Sequence, residues 1–504
     1  MSATSPDNIT PLEPGFHRNM LLVTTLFISV MAAVDMTIVT VALPYMAGNL
    51  GASPDEISWV VTMFAVGQAL TIGITGHLSR LLGRKNLCLY AVIGFVVLSM
   101  TCGMAQSLHQ IVILRFFQGA FCGPLIPISM SMLVDAYPAK ERSRALSYWA
   151  MGVMGGPAVG PALGGLLAQH LDWRWNFFVN LPVGIVALVL ILRFVRSIQP
   201  VPVRTDWHGL LLLALFLISF QVMLDQGNRL DWFTAREMVL LAIVALTSFI
   251  TFVGRGLVLG EDNIIDILLF RDLNFTVSSL LMMVVGSVFL AMLVLAPVLF
   301  IDMLGWEVVT AGVIIGSYGL AGVCGAIASS HLRDILGLRA VVAVAYTMLA
   351  ISWYLFSRID LNIGPADVLL PGMLLEFSMM LVFPLLSAQA FSGLPGHLRD
   401  EGAGLFNLTK SLGFSFGTTF VVTQIYRGNQ AGWNHFSGLL SPVSPGFEKY
   451  LQSTDLVNGS PLAGAELGSL LASQSSIVTL LQTMQTMAII SACAVPLALL
   501  LRAQ

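Results

Sequence analysis

The chain is predicted to be an all-α polytopic membrane protein, and three observations carry that expectation. First, 56% of its 504 residues are hydrophobic and only 10% are charged, whereas soluble domains carry about 25% charged residues. Second, the apolar residues gather into fourteen stretches, most of them close to the roughly 20 residues that a bilayer-spanning helix needs. Third, the few charges are distributed unevenly between the connecting segments. The net charge of −3 offers none of the basic surface that a nucleic-acid partner requires.

Taken in order, the predicted spans are 19–44, 57–79, 86–105, 109–134, 145–168, 176–195, 207–225, 237–258, 275–300, 309–330, 340–357, 366–391, 402–426 and 477–501. The seventh is short and ends at Asp225. Residues 1–17 are polar and lack the basic start and cleavage site of a signal peptide, so the first apolar run is expected to stay as an anchor. An even count places both termini on one side of the membrane. If that side is cytoplasmic, sixteen basic residues lie there, among them Arg80, Arg84, Lys85, Lys140, Arg142 and Arg144, against six on the other side. The positive-inside rule therefore predicts cytoplasmic termini. The five cysteines, Cys88, Cys102, Cys122, Cys324 and Cys493, all fall inside apolar runs and read as packing residues without metal-ligand spacing.

An internal repeat divides the chain. His77-Leu78-Ser79-Arg80-Leu81-Leu82-Gly83-Arg84-Lys85 aligns without gaps to His331-Leu332-Arg333-Asp334-Ile335-Leu336-Gly337-Leu338-Arg339. Because the match joins the second span to the tenth, it predicts two six-helix units separated by two extra helices. The expected organisation is a cytoplasmic tail over 1–18, an N-terminal bundle over 19–196, two inserted helices over 207–258 and a C-terminal bundle over 275–501. A long non-cytoplasmic loop over 427–476, rich in Ser, Gly and Pro, lies inside the last unit. Internal symmetry with a site at the repeat interface is the pattern of secondary transporters.

Four ionisable residues fall inside spans, where a charge costs roughly 2.5–3.5 kcal/mol and marks a functional site by default. At 1.5 Å per residue, Arg115 lies about 9 Å, Asp35 about 13 Å and Glu376 about 15 Å below the outer surface. Lys410 enters from the opposite side and lies about 12 Å deep. The shared depth predicts a polar cluster of Asp35, Arg115 and Glu376 in an apolar cavity. A cation beside a carboxylate favours its charged form and an apolar wall disfavours it, so an acid between those influences can load and release a proton. Gln118, Glu376, Asn407 and Lys410 are the candidates for the substrate cavity, which the 24 Met and 29 Phe would help to line. In the fifth span, Gly152, Gly156, Gly160 and Gly164 at four-residue spacing, with Pro157 and Pro161 between them, predict a closely packed, bendable seam. Gly76, Gly83, Arg84, Asp334 and Gly337 complete the set of expected gating and packing residues.

These motifs resemble those of the major facilitator superfamily, and most closely its fourteen-span EmrB/QacA-type drug:proton antiporters. Asp35-Met36-Thr37-Ile38-Val39-Thr40-Val41-Ala42-Leu43-Pro44 is similar to their first-helix signature, and Gly76 through Lys85 to the loop motif after the second helix. Arg115-Phe116-Phe117-Gln118-Gly119 resembles the fourth-helix motif linked to proton transfer, and Gly156 through Gly165 the fifth-helix motif of exporters. Trp173-Arg174-Trp175 followed by Phe177, Phe178, Asn180, Pro182 and Gly184 is similar to the next junction. The resemblance implies a major facilitator fold, proton-driven efflux of small hydrophobic compounds, no cofactor, and Asp35 and Arg115 in the coupling region. It also implies residence in a bacterial inner membrane and partnership with a periplasmic adaptor of the EmrA type and an outer-membrane channel. One departure stands out. Arg80 occupies the place of the acid usual in the loop motif, so a conformational lock through that acid is not expected.

The sequence therefore predicts a proton-coupled multidrug exporter, with a dedicated exporter of one metabolite or siderophore as the alternative. A non-transporting receptor or scaffold would have no need of Asp35, Arg115, Glu376 and Lys410 inside the bilayer. An enzyme is not expected, because the histidines lack ligand spacing and no phosphate-binding loop is present.

Overall fold

The structure, a computed structural model, describes residues 12–197, 200, 205–260, 263–360, 363–439 and 461–502. Its regular elements are helices throughout: α1 Phe16–Ile38, α2 Leu43–Leu50, α3 Pro54–Ile57, α4 Trp59–Gly73, α5 Thr75–Leu82, α6 Arg84–Gly103, α7 Leu108–Cys122, α8 Leu125–Ala136, α9 Ala139–His170 and α10 Trp175–Phe178. They continue as α11 Asn180–Phe194, α12 Trp207–Gln226, α13 Arg236–Leu259, α14 Leu273–Pro297, α15 Val308–Leu336, α16 Leu338–Phe356, α17 Pro365–Ala390, α18 Arg399–Leu439 and α19 Pro461–Leu499.

Twelve of the described helices or near-continuous helix pairs are long and apolar enough to cross a membrane, and thirteen when α4 and α5, bent by 62° to each other, count as one span. The predicted span 402–426 lies in α18, which is not among them. Its Gly, Ser, Thr and Asn residues dilute the apolar ones. Several predicted spans are broken where backbone hydrogen bonds fail. The first ends at Ile38 and resumes as α2 beside Pro44, which has no N–H to donate, and the fourth divides at Gly123-Pro124. The predicted 427–476 loop is helical at both ends, because α18 runs to Leu439 and α19 starts at Pro461. Its remainder, 440–460, lies outside the described residues.

The first bundle packs α1 on α9 and α11, α4 on α7, and α6 on α7 and α11. The second packs α15 on α17, α14 on α18 and α17, and α16 on α17 and α19. The two meet where α9 lies against α15 and α17, and where α18 lies against α4, α5 and α8. On the latter side α12 covers the seam, touching both α4 and α18. Ser415 Oγ donates to Gln221 Oε1 at 2.8 Å, Thr419 Oγ1 to the Leu224 carbonyl at 3.3 Å, and Phe220 meets Phe416 edge-on at 5.4 Å. The outer helix α13 leaves Leu240, Ile243, Leu246 and Ile250 exposed, as a helix against lipid would.

The repeat is visible in the backbone. Gly83 has φ 78° and ψ 145°, and Gly337 has φ 81° and ψ 156°, each between two helices. A positive φ is costly for any residue with a Cβ, so the aligned glycines follow from the shared turn.

Candidate functional site

The glycines of α9 set the position of Asp35. A Cβ at Gly160 would run into Thr37 and the Val34 carbonyl, and one at Gly164 into the Ile38 carbonyl. The bare backbone of α9 thus lies directly on α1, as small residues at four-residue spacing allow. Pro161 has no N–H to bond the Pro157 carbonyl four residues back. Thr37 Oγ1 donates to that carbonyl at 3.1 Å instead. The prolines therefore leave an acceptor that the neighbouring helix satisfies, which pins α1 two residues from Asp35.

Asp35 and Arg115 form an ion pair at 2.9 Å, with both side chains 0% exposed. Arg115 Nη1 also donates to Gln118 Oε1 at 2.9 Å, and Nε to the Val60 carbonyl at 3.2 Å. Its guanidinium lies 3.9 Å from the centre of the Phe64 ring. Asn180 Nδ2 donates to Asp35 Oδ1 at 2.6 Å, and Gln118 Nε2 to the same oxygen at 3.3 Å. Asn180 Nδ2 also lies 3.0 Å from Ser99 Oγ, which donates to the Phe177 carbonyl. Buried charges persist when paired and hydrogen-bonded, and α1, α4, α6, α7, α10 and α11 supply this cluster. Arg115 Nη2 alone has no partner among the described residues.

Glu376 is not part of this cluster. It lines a cavity of about 130 Å³ whose walls include Met151, Met154, Phe289, Met292, Tyr318 and Met380, from α9, α14, α15 and α17. Tyr318 sits in the slot left by Gly372 and donates to the Val368 carbonyl at 2.9 Å. A Cβ at Gly322 would lie 3.7 Å from Glu376 Oε2, so the carboxylate rests against α15. No hydrogen bond or ion pair to Glu376 occurs among the described residues. The expected three-residue cluster is therefore corrected to an Asp35–Arg115 pair and a separate Glu376, because equal depth does not fix which way a helix faces.

The other expected cavity residues also lie elsewhere. Gln118 is fully buried beside Asp35. Asn407 donates to the Ala403 carbonyl at 2.9 Å and lies 3.4 Å from Met130 Sδ, at the contact between the bundles. Lys410 is 3% exposed, with Nζ 5.5 Å from the Phe383 ring and 5.7 Å from the Phe414 ring. Phe383 in turn meets Trp149 of α9 at 6.1 Å.

The end of the molecule that carries Gly83 is closed by charges crossing between the bundles. Arg84 Nε and Nη2 each lie 2.7 Å from an oxygen of Asp400, and Ser79 Oγ donates to Asp400 at 2.5 Å. Arg84 also pairs with Asp135, which binds Arg399 through its other oxygen. Arg80 meets Glu401 at 3.2 Å. A Cβ at Gly76 would strike the Glu401 backbone, which is why that position admits α18. The lock therefore exists, with Arg80 supplying a positive charge to Glu401 in place of the usual acid. Asp334, its counterpart in the repeat, is exposed and makes no ion pair among the described residues, so it is corrected to a residue outside the gate.

Two bundles of this kind, joined by a seam over a closed end, place the chain among known folds, and a profile of the Major Facilitator Superfamily matches residues 25–418. The chain belongs to the major facilitator superfamily. It is a multi-pass membrane transporter and not an enzyme. Among relatives, the "Multidrug export protein EmrB" of Haemophilus influenzae is 33% identical over 439 residues, covering 86% of both chains. The protein of that name from Escherichia coli K12 is 31% identical over 440 residues, covering 86% of this chain and 85% of its own. The "Fatty acid resistance protein FarB" of Neisseria gonorrhoeae is 32% identical over 417 residues, covering 82% of each. The proton:xylose symporter XylE has the same fold, with a TM-score of 0.61 at 12% identity over 95% of this chain and 94% of its own. The human organic anion transporter MFSD10 gives a TM-score of 0.59 at 14% identity, covering 96% and 100%.

Within this superfamily fold, the residues that sequence reasoning overlooked are Asn180, Ser99, Asp135, Asp400 and Glu401. Asn180 offered a signal, an amide inside an apolar junction. Asp400 and Glu401 sit at the start of a helix, where acids are common for local reasons, and nothing local distinguishes a capping acid from a latch.

Proposed function

We propose that the chain exports small hydrophobic, drug-like compounds across a bacterial inner membrane by proton antiport and alternating access. The observation that carries this reading is the physical connection between its two charged sites. Asp35 lies on α1, α1 is held to α9 through the glycine seam and the Thr37–Pro157 bond, and α9 supplies Met151 and Met154 to the wall of the Glu376 cavity. Protonation of Asp35 would release Arg115, and the resulting shift of α1 would be transmitted to the cavity as a rigid displacement. The cavity suits varied apolar substrates, because thioether side chains adapt their shape and one carboxylate provides orientation.

The names of the EmrB relatives support multidrug export, and the excess of sixteen basic residues over six supports cytoplasmic termini. On that orientation the Gly83 end is cytoplasmic, and α18 supplies the remaining crossing of fourteen. The EmrB resemblance also supports an EmrA-type adaptor and an outer-membrane channel as partners. A dedicated metabolite or siderophore exporter would use the same parts, and a panel of compounds distinguishes it.

Transport into proteoliposomes with an imposed pH gradient tests the reading. Wild-type protein should accumulate substrate against its gradient, and Asp35→Asn should lose the proton-driven component while remaining in the membrane. Uphill transport by Asp35→Asn at the wild-type rate would remove Asp35 from coupling. Glu376→Gln should lose cationic substrates selectively, whereas uniform loss would assign Glu376 to coupling.

A further inference from the structure

The repeat sets two helices side by side in each bundle, and the two pairs are packed differently. Carried on past Gly83 and Gly337, the alignment lays α6 against α16. Its last aligned residues, Lys85 and Arg339, each bind a carbonyl at the end of their bundle's final helix. Lys85 Nζ donates to the Leu192 carbonyl of α11 at 2.8 Å, and Arg339 Nε donates to the Leu501 carbonyl just beyond α19. The pairs α6–α11 and α16–α19 are therefore counterparts. In the first, Val96 fills the contact, since a Cβ at Gly184 would lie 2.2 Å from Val96 Cγ2. In the second, the residue aligned with Val96 is Ala350. It lines an apolar groove of about 420 Å³ with Ile351 and Tyr354 of α16 and Gln485, Ala488 and Ala492 of α19. Ile351, Tyr354, Gln485 and Ala492 are exposed, so the groove opens outwards.

The length of the groove and the chemistry of its end point to one occupant. Along α19 it runs from Val495 to Gln485, about 15 Å at 1.5 Å per residue. Along α16 it runs from Thr347, the middle residue of that helix, to Tyr354 near its end. A hydrocarbon core is about 30 Å thick, so the groove spans one leaflet, on the side away from Gly337. Its outer end is polar. Arg358, one turn beyond Tyr354, donates to the Tyr354 hydroxyl from Nε at 3.1 Å and from Nη2 at 2.8 Å. It is exposed and forms no ion pair among the described residues. The Gln485 side chain, in the groove beside Tyr354, makes no hydrogen bond among the described residues. The counterpart positions of Arg358 and Tyr354 on the α6 side are Met104 and Met100, so that pair has neither the groove nor the polar end.

We propose that the α16–α19 groove holds one anionic phospholipid, with an acyl chain along Ala350, Ala488 and Ala492, an ester carbonyl at Gln485 and the phosphate at Arg358. A guanidinium presents paired donors that match phosphate oxygens, and a lipid with net negative charge neutralises an arginine that the protein leaves unpaired. An amide facing hydrocarbon is costly until a carbonyl accepts from it. The proposal goes beyond the export reading and does not depend on it.

Native mass spectrometry of the full-length protein, delipidated and then titrated with phosphatidylglycerol or with phosphatidylcholine of the same chains, tests it. The wild type should retain one phosphatidylglycerol under activation that strips the other lipids, with a preference of about tenfold over phosphatidylcholine. Arg358→Gln should remove the preference. Ala492→Phe, at an exposed position in the groove, should remove the retained lipid itself. Val97→Phe, at the exposed α6 position aligned with Ile351, should change neither. Equal retention of the two lipids by the wild type, or retention that survives Ala492→Phe, would overturn the proposal. A dimer in nanodiscs that Ala492→Phe separates would assign the groove to a second copy of the chain and overturn it as well.

Discussion

The loop at Gly83 and the loop at Gly337 turn their chains with almost the same backbone, yet their surroundings differ. Around Gly83, Ser79, Arg80 and Arg84 meet Asp135, Asp400 and Glu401, and the pairs involving Arg84 are buried. Around Gly337 the aligned positions are Arg333, Asp334 and Leu338. Asp334 is exposed there, and Leu338 packs where Arg84 pairs. The two copies share the turn, while the side chains at three positions, Ser79, Arg80 and Arg84 against Arg333, Asp334 and Leu338, decide which copy binds the other bundle. The glycine turn is thus common to both copies, and the ion-pair cluster is a separate feature of one of them.

That comparison can be broken most severely at Arg84. Replacing it with Ala leaves Asp400 and Asp135 short of a buried partner, which costs about 3–5 kcal/mol. Unfolding in denaturing detergent should show this loss, while Asp334→Ala at the other copy should stay within about 0.5 kcal/mol. Equal effects at the two copies would mean that the ion pairs do not distinguish them. The glycines should behave alike, and less severely. Gly83→Ala and Gly337→Ala each force a Cβ into a positive-φ turn, for about 1–2 kcal/mol, and a large difference between them would show that surroundings outweigh the turn. The smallest effect belongs to Arg80 and Glu401. Arg80 is a quarter exposed, so Arg80→Glu should cost about 1 kcal/mol, and adding Glu401→Arg should recover most of it. Failure of the double exchange to recover stability would assign Glu401 to its bond with the Asp266 N–H rather than to Arg80.

Much of this architecture is legible in the sequence because lipid imposes a simple rule: apolar length sets each span, and a glycine repeated at one register marks the repeated turn. The Asp35–Arg115 pair was legible for the same reason, since two opposite charges at one depth in a bilayer gain by meeting. Glu376 marks the limit of that argument. It shares the depth but belongs to α17, whose facing direction is set by side-chain packing across the whole bundle. Gln118, a candidate for the substrate cavity, lies buried beside Asp35 instead. The latch was partly illegible because Arg80 reverses the expected sign, and because Asp400 and Glu401 lie more than 300 residues from the loop they bind.

The central claim is that the Gly83 copy of the repeat is the gate that opens and closes one end of the transporter. The most direct measurement is the distance between spin labels on Leu81→Cys and Ser392→Cys, two exposed positions on opposite bundles at that end, in protein lacking Cys324 and Cys493. A short distance should dominate in the wild type, a second, longer distance should appear when substrate and pH are varied, and Arg84→Ala should shift the population towards it. One distance, unchanged by substrate, pH and Arg84→Ala, would contradict the account.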